Sequence, residues 1–379
     1  MAAPPQTAPI AVYGATGFTG KLVARELLRR EANFVISGRN AQKLEALSTE
    51  LGGVPTRVAS VDDPSALRGL LEPCAAVIAC AGPFTLHGEP VLEAAADTGT
   101  HYIDTTGEQP FMQLVFDRYA TRAAHSGAAL VTAMGFDYMP GDLIAHLTAE
   151  DMGPLDEATL AYWVRGFGAT RGTALSALEI LKGGDHEYRD GRLQPGSQKV
   201  NRGTFRFPSP VGEQRMVRYP AGEPITVPRH VDTRNVRMLL SASAVAPRRL
   251  APLLPLGIPS LGLAMRTPLR KAAEAAIRRL PEGPSEADRA KTRWMIVCEA
   301  QVGGRTRRGT VTGPDPYGLT AVTTVHGAVL AAEPSFDRSG ALAPAQAFDA
   351  ASFLDALAGF GVDYEVGALP EPAQAAATR

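Results

Sequence analysis

Two rhythms of apolar residues alternate along the first part of this chain. Short apolar runs at Ile10 to Tyr13, Asn33 to Ser37 and Thr56 to Val61 are each followed by aliphatic residues at helical spacing: Leu22, Val23, Leu27 and Leu28, then Leu44, Leu47 and Leu51, then Leu67, Leu70 and Leu71. Asn40 stands where the second helix needs a cap, and Asp63-Pro64 offers a cap and a first-turn proline to the third. Further strands are expected at Ala75 to Ala81, His101 to Asp104 and Ala128 to Met134, with helices near Pro90, after Pro110 and through Leu143, Ile144 and Leu147. This alternation predicts an α/β fold, a Rossmann-type doubly wound parallel sheet over residues 1–150.

From Leu155 the rhythm changes. Strand-like runs at Ala158 to Val164, Thr204 to Phe207, Met216 to Tyr219 and Val236 to Ser241 surround a helix that Thr173 can cap, with Leu175, Leu178 and Leu181. Trp294 to Val302, a Gly303-Gly304 turn and Arg305 to Thr312 read as a hairpin. Residues 151–317 are therefore expected to form a second domain for substrate and dimer contacts, closing a cleft against the first. Phe348 to Phe360 reads as a last helix, and the Ala- and Pro-rich residues 367–379 as a disordered tail.

Chemistry enters at the first strand's end. Gly14, Gly17 and Gly20, with Thr16, Phe18 and Thr19 between them, form a G-x-x-G-x-x-G turn between strand and helix. Glycines there let backbone approach a pyrophosphate, and the helix amides face its charge. A dinucleotide is expected, the alternative being a purely structural turn. At the end of the second strand stand Ser37, Arg39 and Asn40, with no acid to hold a ribose 2′-hydroxyl. Arg offers a fork for a 2′-phosphate, so NADP(H) is expected, unless Arg39 is a solvated surface residue. Asp62 is placed at the adenine pocket's border.

Ligands of such sheets gather beyond the strands' carboxyl ends, so Ala81, Gly82, Pro83 and Phe84, and also Gly135, Phe136 and Asp137, are expected along the cofactor. His87 follows the first group and is read more readily as a structural hydrogen bonder than as a donor. Asp104 and Glu108 at the fifth strand's end read equally as site acids or as structure, and Asp142 reads as a cap.

Composition narrows the class. With 379 residues, 45% hydrophobic and 20% charged, the chain can bury a large core in about two domains. A net charge of -1 exerts no pull on nucleic acid or anionic membrane. Cys74, Cys80 and Cys298 make neither a disulfide framework nor a zinc site, and no metal is expected. The opening MAAPPQTAP lacks a secretory signal's basic and apolar regions, leaving the cytoplasm as the expected compartment.

Taken in order, YGATGFTGKLVARELL, SGRN, ACAGPF, HYIDTTGE, GFDYMPGD, TRGTALSALEIL and GPDPYGLTA resemble the saccharopine dehydrogenase-like family, most closely its trans-acting enoyl reductase branch. The resemblance implies an NADP-binding Rossmann domain, a second α+β domain with a mostly antiparallel sheet, hydride transfer, and residues 318–366 packing back on the first domain. In the enoyl reductase branch the implied substrate is an α,β-unsaturated acyl group of polyketide or lipid type, free or on a carrier. In the founding branch it is an imine, for which Arg165 and Arg171 offer cations. Tyr138 departs from the small residue the family pattern carries after Asp137. Its hydroxyl suits general acid work, or else its ring packs between domains. A non-catalytic NADP sensor needs the same first domain and is the rival outside enzymes.

The apolar stretch Leu250 to Met265, broken by Pro252, Pro255 and Pro259, precedes an amphipathic helix at Pro268 to Leu280. It reads as a homodimer contact, the wall of an acyl channel or, less favoured, a membrane-surface patch. There is no Ser-Tyr-x-x-x-Lys arrangement, which argues against alcohol oxidation by the short-chain dehydrogenase route.

Overall fold

All four residues of β1 (Ile10–Tyr13) are buried, with Ile10 and Val12 in one apolar cluster and Ala11 and Tyr13 in another. A strand covered on both faces belongs in a parallel sheet with helices on either side. The computed structural model describes residues 8–183, 185–196, 203–218, 220–245 and 269–369, and sets β1 in the interior of such a sheet. Its neighbours are β2 (Phe34–Gly38), β3 (Thr56–Val58), β4 (Ala76–Ala79), β5 (His101–Asp104) and β6 (Ala129–Val131). The order is Gly340–Leu342, β6, β5, β4, β1, β2, β3, every pair parallel. Chain order reverses across β1 and β4, opening the crevice where such sheets take ligands.

Local signals account for the connecting helices. Asn40 Oδ1 accepts the Lys43 amide at 2.9 Å, and Asp63 Oδ1 accepts that of Ala66 at 3.0 Å, each starting a helix as its sequence predicts. The third strand ends at Val58, three residues short of the expected end, and Val58 is exposed.

The second sheet contains β7 (Glu157–Arg165), β8 (His186–Arg189), β9 (Arg192–Pro195), β10 (Thr204–Arg206), β11 (Glu213–Arg218), β12 (Val236–Ser241), β13 (Arg293–Val302) and β14 (Arg305–Pro314). With Gly340–Leu342 numbered β15, its last member is β16 (Asp363–Val366). The order is β10, β11, β12, β7, β13, β14, β16, with the β8–β9 hairpin attached to β12. Pairing is antiparallel except between β12 and β7. Gly303 and Gly304 both take positive φ, +54° and +78°, as the tight β13–β14 turn requires.

One face of this sheet, with Leu160, Tyr162, Ile296 and Cys298, joins the main core beneath the helix Met139–Ala149. Ala161, Met295, Val297 and Leu239 form a smaller cluster on the other face. The helix Pro316–Ala331, almost wholly buried, returns the chain to the parallel sheet and packs on the helix Phe18–Arg29. Of segment 318–366, β15 joins the parallel sheet, whereas β16 pairs with β14 in the second. The apolar stretch at 250–265 and tail residues 370–379 lie outside the described residues. Among the described residues no helix is long and apolar enough to cross a membrane.

Candidate active site

The three glycines of the first turn do three different things. Gly14 has φ +79°, and a Cβ there would stand 2.9 Å from the Ala81 nitrogen, so it makes the turn beside β4. At Gly20 a Cβ would fall 2.3 Å from the Gly14 carbonyl oxygen, so it lets helix Phe18–Arg29 sit against the turn. Gly17 is exposed, and a Cβ there would come no nearer than 3.4 Å to another residue. The fold therefore demands glycine at 14 and 20, and only an approaching ligand demands it at 17. The helix that follows has no side-chain cap and no acid in its first turn, so the amides around Phe18 and Thr19 face outward uncompensated. Thr16 lies half-buried between the first two glycines.

At the end of β2 the Ser37 carbonyl accepts the Gly14 and Ala15 amides, at 3.0 and 3.1 Å. Its buried hydroxyl oxygen has no hydrogen-bond partner among the described residues. Arg39 is exposed and forms no ion pair among them. Arg39 and Asp62 both act electrostatically on the Tyr13 hydroxyl, which places them around one pocket beyond β1 and β2. An uncapped helix end, a glycine that only a ligand needs, an orphaned hydroxyl and an unpaired guanidinium fit NADP(H). Asn40, beside Arg39, caps the second helix as its position predicts, its Oδ1 being engaged by the Lys43 amide.

Beyond β4, Ala81, Gly82, Pro83 and Phe84 line the crevice edge, and a Cβ at Gly82 would lie 3.6 Å from Ser176 Oγ on the helix Arg171–Gly183. Glu108 fixes this edge. Its carboxylate accepts the Phe84 and Thr85 amides, both at 2.9 Å, the Thr85 hydroxyl, and the Ser176 hydroxyl at 2.9 Å. Both oxygens are thus consumed in capping the short helix Phe84–His87 and tying it to the second domain. Asp104 is equally engaged: fully buried, it accepts the Thr106 amide at 3.0 Å, the Ala133 amide at 2.9 Å and the Thr132 hydroxyl at 3.1 Å. Burial pushes its pKa up to about 6 while these donors oppose the rise. Glu108 and Asp104 accordingly hold the strand ends in place.

Asp137 is the contrasting acid. It lies half-buried in the loop between β6 and the helix Met139–Ala149, 3.9 Å from where a Cβ on Gly107 would stand, and it has no side-chain hydrogen bond among the described residues. Burial pushes its pKa up to about 6. Gly135 and Phe136 fix the loop before it, the Phe136 amide donating to Thr320 Oγ1 at 3.0 Å. Tyr138 is 1% exposed, and its hydroxyl donates to the Gly107 carbonyl at 2.9 Å, which commits its proton to backbone. Asp142 is no cap: it pairs with His230 Nε2 at 2.9 Å and accepts the Ala345 amide at 2.9 Å.

Two residues that the sequence reading does not single out, Tyr317 within GPDPYGLTA and Glu223, complete the surroundings. Tyr317 receives the Thr170 amide at 2.9 Å, meets Phe18 edge-on at 5.3 Å and stacks on Phe167 at 5.6 Å, so it closes the second domain onto the dinucleotide helix. Glu223, wholly buried, accepts the hydroxyl hydrogen of Tyr162. The cations that an imine with carboxylates would want are placed elsewhere. Arg171 donates twice to the Leu280 carbonyl, at 3.1 and 2.8 Å, and Arg165 lies over Trp163, which shares the smaller cluster's face of the second sheet. No group of metal-ligating residues occurs among the described residues.

Residues 10–134 match the family of saccharopine dehydrogenase NADP-binding domains. A Mycobacterium tuberculosis relative provisionally named trans-acting enoyl reductase is 38% identical over 194 residues, 48% of this chain and 46% of its own length. A saccharopine dehydrogenase-like oxidoreductase from Bos taurus is 30% identical over 155 residues, 35% of each chain. The chain thus spans about half or less of the length of these relatives. Apo saccharopine dehydrogenase (L-Glu forming) from Saccharomyces cerevisiae superposes with a TM-score of 0.60 at 15% identity, covering 95% of this chain and all of that one, which shows a shared fold. Residues 10–134 of this chain are therefore an NADP-binding domain of the saccharopine dehydrogenase family.

Proposed function

We propose that the protein is an NADPH-dependent reductase of an α,β-unsaturated acyl group, with Asp137 as its proton donor. The observation that carries this reading is the Asp137 carboxyl, half-buried at the strand-end edge, with no hydrogen-bond partner among the described residues and a pKa of about 6. An acid poised near neutrality is suited to giving up a proton and regaining it in each cycle. NADPH, when bound, supplies a hydride, and reduction of a conjugated thioester leaves an enolate that needs one proton. Asp137 delivers it, Glu108 and Ser176 hold the edge at Gly82 to Phe84 against which the reacting groups lie, and Tyr317 with Phe18 shields that end of the cleft from water.

The commitments of Arg165 and Arg171 favour an acyl substrate over an imine bearing carboxylates, and the names of the mycobacterial relatives agree. The test is NADPH oxidation with crotonyl-N-acetylcysteamine, set against a mixture of 2-oxoglutarate and an amino acid. Turnover of the thioester that Asp137→Asn lowers about a hundredfold supports the reading. Turnover of the amino-acid mixture alone overturns it in favour of imine reduction.

A further inference from the structure

Residues 280–285, between the helices Leu269–Ile277 and Glu286–Arg289, cross the first turn of the helix Phe18–Arg29. Phe18 and Lys21, one turn apart on that helix, take the contact. Gly283 lies so close to the Phe18 ring that a Cβ there would stand 2.6 Å from Cε2 and 2.7 Å from Cδ2. Gly283 is not among the glycines with positive φ, so it is the ring and not the backbone that calls for glycine. Lys21 Nζ donates to Glu282 Oε2 at 2.8 Å. That hydrogen bond, against a lesser effect of burial, holds the Glu282 carboxyl below the usual carboxylate range, and Arg171 and Lys43 act on it in the same sense. Lys43 lies in the first turn of the helix Ala41–Glu50. The segment therefore runs past the starts of both helices, at the rim of the pocket where a dinucleotide sets its phosphates.

The segment is fastened unequally on its two sides. Toward the second domain, the Leu280 carbonyl accepts two hydrogen bonds from the Arg171 guanidinium, and the Glu282 carbonyl accepts the Arg171 amide at 3.0 Å. Pro284 stands 3.6 Å from where a Cβ on Gly168 would lie, and Ser285 Oγ accepts the Asp288 amide at 3.2 Å to start the next helix. Toward the first domain there is a glycine resting on a ring and an ion pair whose side chains are 33% and 45% exposed. An exposed pair contributes little and salt screens it, so the grip on the helix Phe18–Arg29 yields before the anchors do.

We propose that residues 280–285 are a strap that retains NADP(H), and that its release from Phe18 and Lys21 sets the rate at which the cofactor leaves. The proposal rests on the NADP-binding domain and not on the reductase reading. Phe18 follows Gly17, and its amide belongs to the helix end that faces a pyrophosphate, so whatever clamps its ring also steadies the phosphate cradle. With the strap down, the ring is held between Gly283 and Tyr317, both outside the turn. With it lifted, Phe18 is free to turn and the second domain loses a tie to the first. A fastening with firm anchors and a weak grip opens at the grip, as a cofactor that must exchange between turnovers requires.

Stopped-flow displacement of NADPH from the full chain by excess NADP+, followed by nicotinamide fluorescence, reads the dissociation rate. Gly283→Ala, which drives a methyl into the Phe18 ring, is expected to raise that rate about tenfold. Glu282→Gln is expected to raise it about two- to fivefold, and to flatten its increase with salt because the screened pair is gone. A dissociation rate unchanged in Gly283→Ala overturns the proposal. So does slower dissociation from Glu282→Gln, which would make Glu282 an acid that repels the nucleotide's phosphates. If Gly283→Ala does not fold, Glu282→Gln alone decides, and a rate and salt dependence equal to the wild type's overturn the proposal. The reductase reading is untouched by either result, since no substrate other than the nucleotide is present.

Discussion

Asp142 and His230 meet at 2.9 Å where their side chains are 0% and 4% exposed, and the His146 and His230 Nδ1 atoms face each other at 3.3 Å. Burial opposes charge on Asp142, yet His230 and the donors around it hold its pKa below the ordinary 3.8. The unfolded chain therefore takes up a proton at Asp142 first, so this stabilisation is full above 3.8 and is lost as pH falls below it. Burial, with His230 beside it, holds His146 below its ordinary 6.5. Here too the unfolded state binds the proton first, so stability is complete above 6.5 and declines as pH drops. Asp104 and Asp137, raised to about 6, act in the opposite sense, stability rising as pH falls through 6. The measurement is therefore the difference in thermal midpoint between wild type and His146→Gln, expected to be level above pH 6.5 and to move against the wild type below it. Asp142→Asn, which puts an amide where His230 Nε2 and the Ala345 amide both meet a buried carboxylate, is expected to cost about 1.5–3 kcal/mol at neutral pH.

Gly17 and Gly20 separate ligand from fold. Gly20→Ala drives a methyl into the Gly14 carbonyl and Ala15, and should lower the thermal midpoint whether or not nucleotide is present. Gly17→Ala meets nothing closer than 3.4 Å, so the midpoint of the free protein should hold while NADPH affinity drops by about tenfold or more. Calorimetric titration beside thermal melts decides the matter. Equal loss of stability in both variants would mean that the turn is shaped for packing alone.

Arg39 bears on the choice of nucleotide. It stands exposed beyond β2 with no ion pair among the described residues, and a guanidinium–phosphate contact contributes about 1.5–3 kcal/mol. Arg39→Ala should weaken NADPH by roughly ten- to a hundredfold and leave NADH within a few fold. Loss of both cofactors together would instead assign Arg39 to the adenine or to the pocket's architecture.

The parallel sheet is legible because local punctuation separates its strands from their helices: Asn40 and Asp63-Pro64 start helices where the chain says they should, and Gly82-Pro83 follows the fourth strand, although β3 and β6 end three residues early. β8, β9, β15 and β16 are not, being three or four residues long and set by the neighbours they pair with rather than by an apolar alternation of their own. The site divides in the same way. Gly14 to Gly20 and Arg39 announce themselves by residue type and spacing. Glu223 and Tyr317 do not, because their significance comes from partners far along the chain, Tyr162 and Thr170. Asp142 and Glu108 show the limit from the other side. An acid at a helix start looks like a cap for its own helix, yet Asp142 serves His230, and Glu108 caps the helix at Phe84.

Glu108 offers the sharpest test of that division between positioning and chemistry. A carboxylate with two amides and two hydroxyls on its oxygens has no proton to give and no free lone pair aimed at a substrate. Glu108→Gln turns an NH2 group toward the Phe84 or Thr85 amide, donor against donor, so the short helix Phe84–His87 should loosen and the Gly82 to Phe84 edge with it. The expected cost is about 1.5–3 kcal/mol in stability, with a raised KM for NADPH and a lowered kcat. On the proposed role of Asp137 as proton donor, the shape of the pH profile should stay that of the wild type. A profile that loses its acidic or basic limb in Glu108→Gln, with the thermal midpoint unchanged, would move the catalytic proton from Asp137 to Glu108.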